Sequence, residues 1–252
     1  MNGKKNTSWG GVAEWYSELL GKEGTYQKEV VLPNLLRMMN LQKGETILDL
    51  ACGEGFFSRA FAEFDVKIIG VDVARNLIDI AKKTPSKRIA YKVSAAHKLE
   101  FLDSGSIDKV AIILSVQNME DIQKVFAECA RVLKVGGTMH MVMNHPAFRV
   151  PKRSSWGWDE KELAQYRRLD AYMSESTEKI QMHPGDKPSE YTLSFHRPLQ
   201  VYFKNLKKSG LLVRGLEEWI SNRKSEPGPR AGEENRIRKE IPLFLTLEIV
   251  KV

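Results

Sequence analysis

The residues able to do chemistry stand out first in two short segments, Ile47-Leu-Asp-Leu-Ala-Cys-Gly-Glu-Gly-Phe-Phe57 and Gly70-Val-Asp72. The first reads as a buried strand running into a helix, and Gly53 and Gly55 let backbone approach a ligand where a Cβ would collide. A dinucleotide fingerprint would place glycine at position 58, where this chain has Ser58. Asp49 sits at the strand end, where a pyrophosphate would be repelled and an ammonium group welcomed. Asp72 ends the next strand, and a carboxylate there can accept two hydrogen bonds from ribose hydroxyls. Together the two segments describe a site for an aminoacyl nucleoside.

These residues need a parallel sheet to hold them. From position 46 onward, short β-branched runs alternate with helical stretches, the pattern of βαβ units. Strands are expected at Thr46–Leu50, Lys67–Val71, Ile89–Val93, Ile107–Leu114 and Thr138–Met143, and helices at Ser58–Phe64 and Arg75–Lys83. Helical spacing of Ile122, Val125, Phe126, Cys129, Ala130 and Leu133 places another helix over Asp121–Leu133, ended before the Gly136-Gly137 turn. The alternation lapses over residues 144–192, where an aromatic-rich insertion is expected with a helix from Asp159 to Tyr172. It resumes with a helix at Pro198–Ser209, a strand near Leu211–Trp219, a polar loop through Pro227 and Pro229, and a last strand at Leu243–Val250. One domain over residues 1–252 follows. Its parts are an N-terminal helical cap (1–40), a cofactor-binding core (41–143), a substrate-side insertion (144–192) and a C-terminal completion of the sheet (193–252).

The 252 residues, 42% hydrophobic and 28% charged, suffice for one large core. No apolar run approaches the ~20 residues that span a bilayer, and the first residues lack the apolar core of a secretory signal. A cytoplasmic protein without a membrane partner is expected. Cys52 and Cys129 are too few for a disulfide scaffold or a cysteine-rich zinc site, and both read as packed thiols. The net charge of +7 permits an anionic partner, but the basic residues fall in short scattered groups.

The chain resembles the class I S-adenosylmethionine-dependent methyltransferases, in particular the "type 11" small-molecule group. The resemblance rests on Leu48 through Gly55, Ile69-Gly-Val-Asp72 and Ala130-Arg-Val-Leu-Lys-Val-Gly-Gly137, and spans about residues 41 to 142. It implies an α/β fold of the Rossmann-like, doubly wound kind: a mostly parallel seven-stranded sheet with an antiparallel last strand and an insertion after strand five. It implies S-adenosylmethionine as cofactor, leaving as S-adenosylhomocysteine, with no metal. The resemblance places Gly53 and Gly55 beneath the methionine portion, with Asp49 and Ala51 beside them. Asp72 would hold the ribose, Val73 would pack on adenine, Ser94, Ala95 and Ala96 would flank the ring, and Ser115 to Asn118 would line the site beyond strand four. Tyr16 and Tyr26, with Trp9 and Trp15, fall where related enzymes carry a helix over the ligand, and an aromatic there could cover the sulfonium. Two departures stand out: Ala51 replaces the first glycine of the family loop, and Ser94 stands where many members carry an aspartate for adenine.

Methyl transfer from a sulfonium is an in-line displacement, in which alignment contributes up to ~7–11 kcal/mol. A general base would add roughly 10²–10⁴-fold. His145 leads the candidates because it follows strand five directly, with Tyr166 next, then His183, His196 and Tyr172. Trp156, Trp158, Arg167 and Arg168, in the insertion, are candidates for acceptor recognition. The acceptor is expected to be a small molecule. RNA or protein as acceptor, motivated by the charge and by the basic stretch Arg223 to Lys239, is the less favoured alternative, since Ser115-Val-Gln-Asn118 differs from the Asn/Asp-Pro-Pro-Tyr signature of many nucleic-acid methyltransferases. A non-catalytic S-adenosylmethionine-binding module is a third reading. A nicotinamide oxidoreductase is disfavoured by Ser58 and Asp49.

Overall fold

The computed structural model describes residue 9 and residues 23–182 and 190–252. Its centre is a seven-stranded sheet in the order β10-β11-β5-β4-β1-β2-β3. The strands are β1 (Thr46–Leu50), β2 (Lys67–Asp72), β3 (Ile89–Val93), β4 (Ile107–Ile113), β5 (Leu133–Asn144), β10 (Leu211–Trp219) and β11 (Phe244–Lys251). Strands β1 to β5 pair in parallel, while β11 runs antiparallel to both β5 and β10. The doubly wound sheet with its antiparallel last strand is therefore the architecture of the chain.

Parallel strands covered on both faces read as near-continuous apolar runs, and neighbouring side chains face opposite ways. In β1, Leu48 and Leu50 join one core with Phe126, Cys129 and Met141, whereas Ile47 joins another with Leu35, Phe57 and Phe61. The first core lies against α4 (Ile122–Val132) and α5 (Leu199–Lys208). The second lies against α1 (Leu32–Met39), entered through a π-helical turn at Gln27–Val31, and α2 (Phe56–Ala62). By the same alternation Asp49 shares the face of Ile47 and looks toward α2. Helix α3 (Arg75–Ala81) follows β2.

The chain order reverses between β1 and β4, the two strands from which the sheet is built outward. Open α/β sheets bind ligands beyond the carboxyl ends of the strands at such a switch point. The loops after β1, β2, β3 and β4 converge there.

The insertion differs from expectation. Residues expected as a helix from Asp159 to Tyr172 instead form a hairpin of β6 (Ser154–Asp159) and β7 (Ala164–Leu169). Cross-strand pairs decide the outcome: the Arg167 guanidinium lies 4.8 Å from the Trp156 ring centre, and the Tyr166 ring covers Gly157 opposite it. A second hairpin joins β8 (Ser176–Gln181) to β9 (Tyr191–His196), so the boundary expected at 192/193 falls within β9. The stretch expected as a polar loop after β10 contains α6 (Ala231–Glu240). Ile237 is its buried residue, and a 2.6 Å Arg236–Glu233 pair one turn apart supports it. No helix among the described residues is long and apolar enough to cross a membrane.

Candidate functional site

The turn from β1 into α2 is built from left-handed backbone: Ala51 has φ 62°, Gly53 φ 58° and Gly55 φ 83°. Ala51 bears this conformation with a Cβ, at a cost of ~1–2 kcal/mol. The loop is tied to β2 by the Cys52 amide donating to the Val71 carbonyl at 3.0 Å and the Gly53 amide donating to Asp72 Oδ2 at 2.9 Å. Asp72 Oδ1 accepts from the Ala74 amide at 2.8 Å. Each oxygen of Asp72 thus takes one backbone donor, and ionised oxygens keep further lone pairs for a ligand. Burial raises the Asp72 carboxyl above its usual range, and the amides of Ala74 and Gly53 oppose the rise.

Asp49 is 2% exposed and accepts a 2.5 Å hydrogen bond from the Ser58 hydroxyl of α2. Burial pushes its pKa up to about 7, the Ser58 bond opposing, and nearby Asp72 and Glu54 add to the rise. A buried acid so placed is stabilised in its charged form by an incoming cation. Ser58 therefore has a definite role, steering the carboxylate that faces the loop.

One cavity of about 910 Å³ lies over these groups. Asp49, Ala51, Gly53 and Asp72 line its floor; Val73, Ser94, Ala95 and Ala96 line the stretch beyond β2 and β3; Ser115 and Asn118 line it beyond β4. Val73 is half-exposed toward it. The Ser94 hydroxyl is engaged by the Lys98 carbonyl at 2.6 Å, whereas Ser115 Oγ is buried with no hydrogen-bond partner. Trp9 lines the same cavity and packs against Ala74 and Leu77. The donor set fits an aminoacyl nucleoside: a cation-seeking acid, a ribose-ready carboxylate and an apolar slot.

Other expected site residues are not brought to this cavity. Gly55 lies behind the loop under Tyr91, whose hydroxyl would stand 2.2 Å from a Cβ there. Tyr26 bonds the Ser221 hydroxyl at 2.8 Å, packs edge-on against Phe244 and carries Arg223 on its face. His145 is buried with both ring nitrogens engaged: Nδ1 accepts from the Ala147 amide at 3.2 Å, so the geometry puts the proton on Nε2, 2.8 Å from Glu218 Oε1. Tyr166 is 49% exposed on β7. His196 donates to the Tyr172 carbonyl, and the Tyr172 hydroxyl accepts from the Leu199 amide. Arg167 is occupied by the Phe148 carbonyl and the Ser154 hydroxyl, and Trp158 lies beneath Arg230. Tyr16, Trp15 and His183 lie outside the described residues.

Among the lining residues that sequence reasoning missed are Glu175, Arg197 and Asn205. None of the three carried a signal in the sequence that pointed to the site.

Residues 48–141 match the family described as "Methyltransferase domain". Over 109 residues the chain is 33% identical to a demethylmenaquinone methyltransferase of Oceanobacillus iheyensis, covering 40% of this chain and 45% of that protein. Over 101 residues it is 29% identical to a ubiquinone biosynthesis O-methyltransferase of Xanthomonas campestris pv. campestris, covering 39% of this chain and 42% of the relative. The match thus spans a little under half the length of these curated relatives. In fold the chain is similar to an S-adenosylmethionine-dependent methyltransferase of Mesorhizobium loti, with a TM-score of 0.69 and 24% identity over 86% of this chain and 96% of the other. The sheet order and this likeness show a Rossmann-like fold of the kind found in class I methyltransferases. Residues 48–141, a little over a third of the chain, are thus similar to the methyltransferase-domain family.

Proposed function

We propose that this chain transfers a methyl group from S-adenosylmethionine to a small-molecule acceptor bound in the same cavity. The observation that carries the reading is the cavity itself. At about 910 Å³ it stands near the top of the ~300–1,000 Å³ range of ligand pockets, room for the nucleoside and a compact second molecule. When bound, the cofactor supplies a methyl carbon activated by the adjacent sulfonium. The protein holds the ammonium at Asp49, the ribose at Asp72 and the base beside Val73 and Ser94 to Ala96. Its remaining contribution is to exclude water and align the acceptor. The relatives named for demethylmenaquinone and ubiquinone biosynthesis support a small, ring-bearing acceptor.

An RNA acceptor is less well supported. Arg223 stacks on Tyr26, Arg230 pairs with Glu160, Arg236 with Glu233, and Arg238 with the Ser225 hydroxyl. These cations of the basic stretch serve internal contacts.

Calorimetric titration with S-adenosylmethionine tests the reading. Micromolar binding that Asp72→Ala weakens at least tenfold, followed by S-adenosylhomocysteine formation with a metabolite pool, is the expected result. Absence of binding would sink it, and binding without turnover against any pool would leave a cofactor-binding module instead.

A further inference from the structure

Arg197 connects β9 to α5, lines the cavity and is only 6% exposed. Its Nη2 donates to the carbonyls of Met119 and Glu120 at 2.9 and 2.7 Å, which tie it to the segment after β4. Its guanidinium lies 5.1 Å from the Phe195 ring centre. These contacts fix the plane of the group. Its Nη1, however, is buried and makes no hydrogen bond.

A buried cation normally recruits a carboxylate, because an unpaired donor or charge away from water is expensive. Of the acids lining this cavity, Glu120 and Glu175 are exposed, and Asp121 pairs with Lys124 at 2.8 Å while capping α4. No ion pair links any of them to Arg197 among the described residues. The Arg197 guanidinium is therefore fixed and buried, with the buried Tyr202 hydroxyl of α5 close by and Nη1 making no hydrogen bond of good geometry.

Taking the methyltransferase reading above as its basis, we propose that Arg197 receives an anionic oxygen of the acceptor, so that the substrates are small oxyanions, either carboxylates or ionised phenols. The cofactor's own carboxylate is a poor match for this position, since it shares a carbon with the ammonium assigned to Asp49. Arg197 instead hangs from the Met119 and Glu120 carbonyls after β4. A guanidinium whose Nη1 keeps its two N–H groups unpaired can give a charge-assisted bond to an anionic oxygen.

Fluorine NMR titration of the S-adenosylhomocysteine-loaded protein tests the assignment with two matched pairs of probes. One pair is para-fluorobenzoate and para-fluorobenzamide; the other is ortho-fluoro-para-nitrophenolate and its methyl ether. One charged probe is expected to bind at least tenfold more tightly than its neutral partner, and the pair that shows the preference tells carboxylate from phenolate. Arg197→Gln should abolish the preference and Arg197→Lys should retain most of it, with S-adenosylhomocysteine affinity within twofold of the unmodified protein in both. Equal binding of charged and neutral probes, no binding of any probe, or a preference that survives Arg197→Gln overturns the proposal. So does a tenfold loss of S-adenosylhomocysteine affinity in both variants, which would assign Arg197 to the cofactor. Failure of the unmodified protein to bind S-adenosylhomocysteine would instead remove the parent reading.

Discussion

Tyr91 of β3 occupies the space that a side chain on Gly70 of β2 would need: a Cβ there would lie 2.6 Å from its ring carbon Cδ1. The same ring closes over Gly55, so one tyrosine is packed onto two glycines behind the ligand loop. Gly55 thus makes room for the Tyr91 ring.

From this packing, Gly70→Ala should destabilise the fold by about 1–3 kcal/mol, the usual penalty of overpacking. Because the clash is with ring carbons, Tyr91→Leu in the same chain should restore most of that loss. Gly55→Ala should be rescued less completely, since its φ of 83° keeps a residual ~1–2 kcal/mol of strain whatever the neighbour. Urea unfolding of the four-membered cycle at each glycine checks both statements, and additive losses at Gly70 would refute the contact as the cause.

With the cofactor's ammonium at Asp49 as proposed, its affinity acquires a pH dependence. In the free protein the Asp49 carboxyl titrates at about 7, raised chiefly by burial. A cation beside it lowers that value, so binding below about pH 7 must expel a proton. Affinity for S-adenosylmethionine should therefore rise with pH and level off above about 7. Asp49→Asn should flatten the profile and weaken binding. For folding the sign is opposite: a carboxyl whose folded pKa exceeds the unfolded one loses stability as pH rises from its ordinary value of 3.8 toward 7. The uncomplexed Asn variant should accordingly be the more stable protein near neutral pH. Calorimetry in buffers of different ionisation enthalpy reads the proton directly, and a flat unmodified profile would refute the assignment.

His140 sits in β5 at 1% exposure, its Nε2 3.3 Å from the Thr138 hydroxyl and its Nδ1 without a partner. Burial lowers its pKa to about 4, with Glu248 opposing. A histidine depressed in the folded state binds its proton more readily unfolded. Its contribution is whole above the unfolded value near 6.5 and drains as pH falls toward 4. The loss across that window is roughly 3 kcal/mol, at ~1.4 kcal/mol per unit. His140→Leu should flatten the acid limb of a stability-versus-pH curve from urea unfolding; an unchanged limb would assign the acid sensitivity elsewhere.

Legibility in the sequence followed burial geometry. The strands β1 to β4 stand out because two-sided burial leaves runs such as Ile107 to Ile113, and the ligand loop because glycines must bracket a turn whose neighbours are apolar. The β6–β7 hairpin was hidden because Lys161, Glu162, Leu163 and Gln165 favour helix locally. Contacts between Trp156 and Arg167, eleven positions apart, override that preference. Arg197 was unreadable as a site residue because its meaning lies in the carbonyls of Met119 and Glu120, far away in the chain. The Asp49–Ser58 bond belongs to the same class, since Ser58 looked in sequence like a missing glycine and in space is the partner of the buried acid.

His145 provides the sharpest contrast between chain position and chemistry. It follows β5 directly, at the strand end beyond which open α/β sheets bind ligands, yet its Nδ1 accepts from Ala147 and its Nε2 donates to Glu218 of β10. Burial lowers its pKa, with Glu218 pulling the other way, so neither nitrogen is free to take a proton from an acceptor. The ring instead staples the end of β5 to β10 while packing 4.7 Å from Phe148. His145→Gln should therefore lower the melting temperature by a few degrees, an expected loss of about 1 kcal/mol or more from the buried bond. Methyl transfer below that temperature should stay within about threefold of the unmodified rate, far short of the roughly 10²-fold that loss of a general base entails. Tyr166→Phe, on the exposed face of β7, should change neither quantity. A collapse of turnover in His145→Gln at unaltered stability would mean that the β5–β10 staple opens during catalysis and that the ring reaches the acceptor after all.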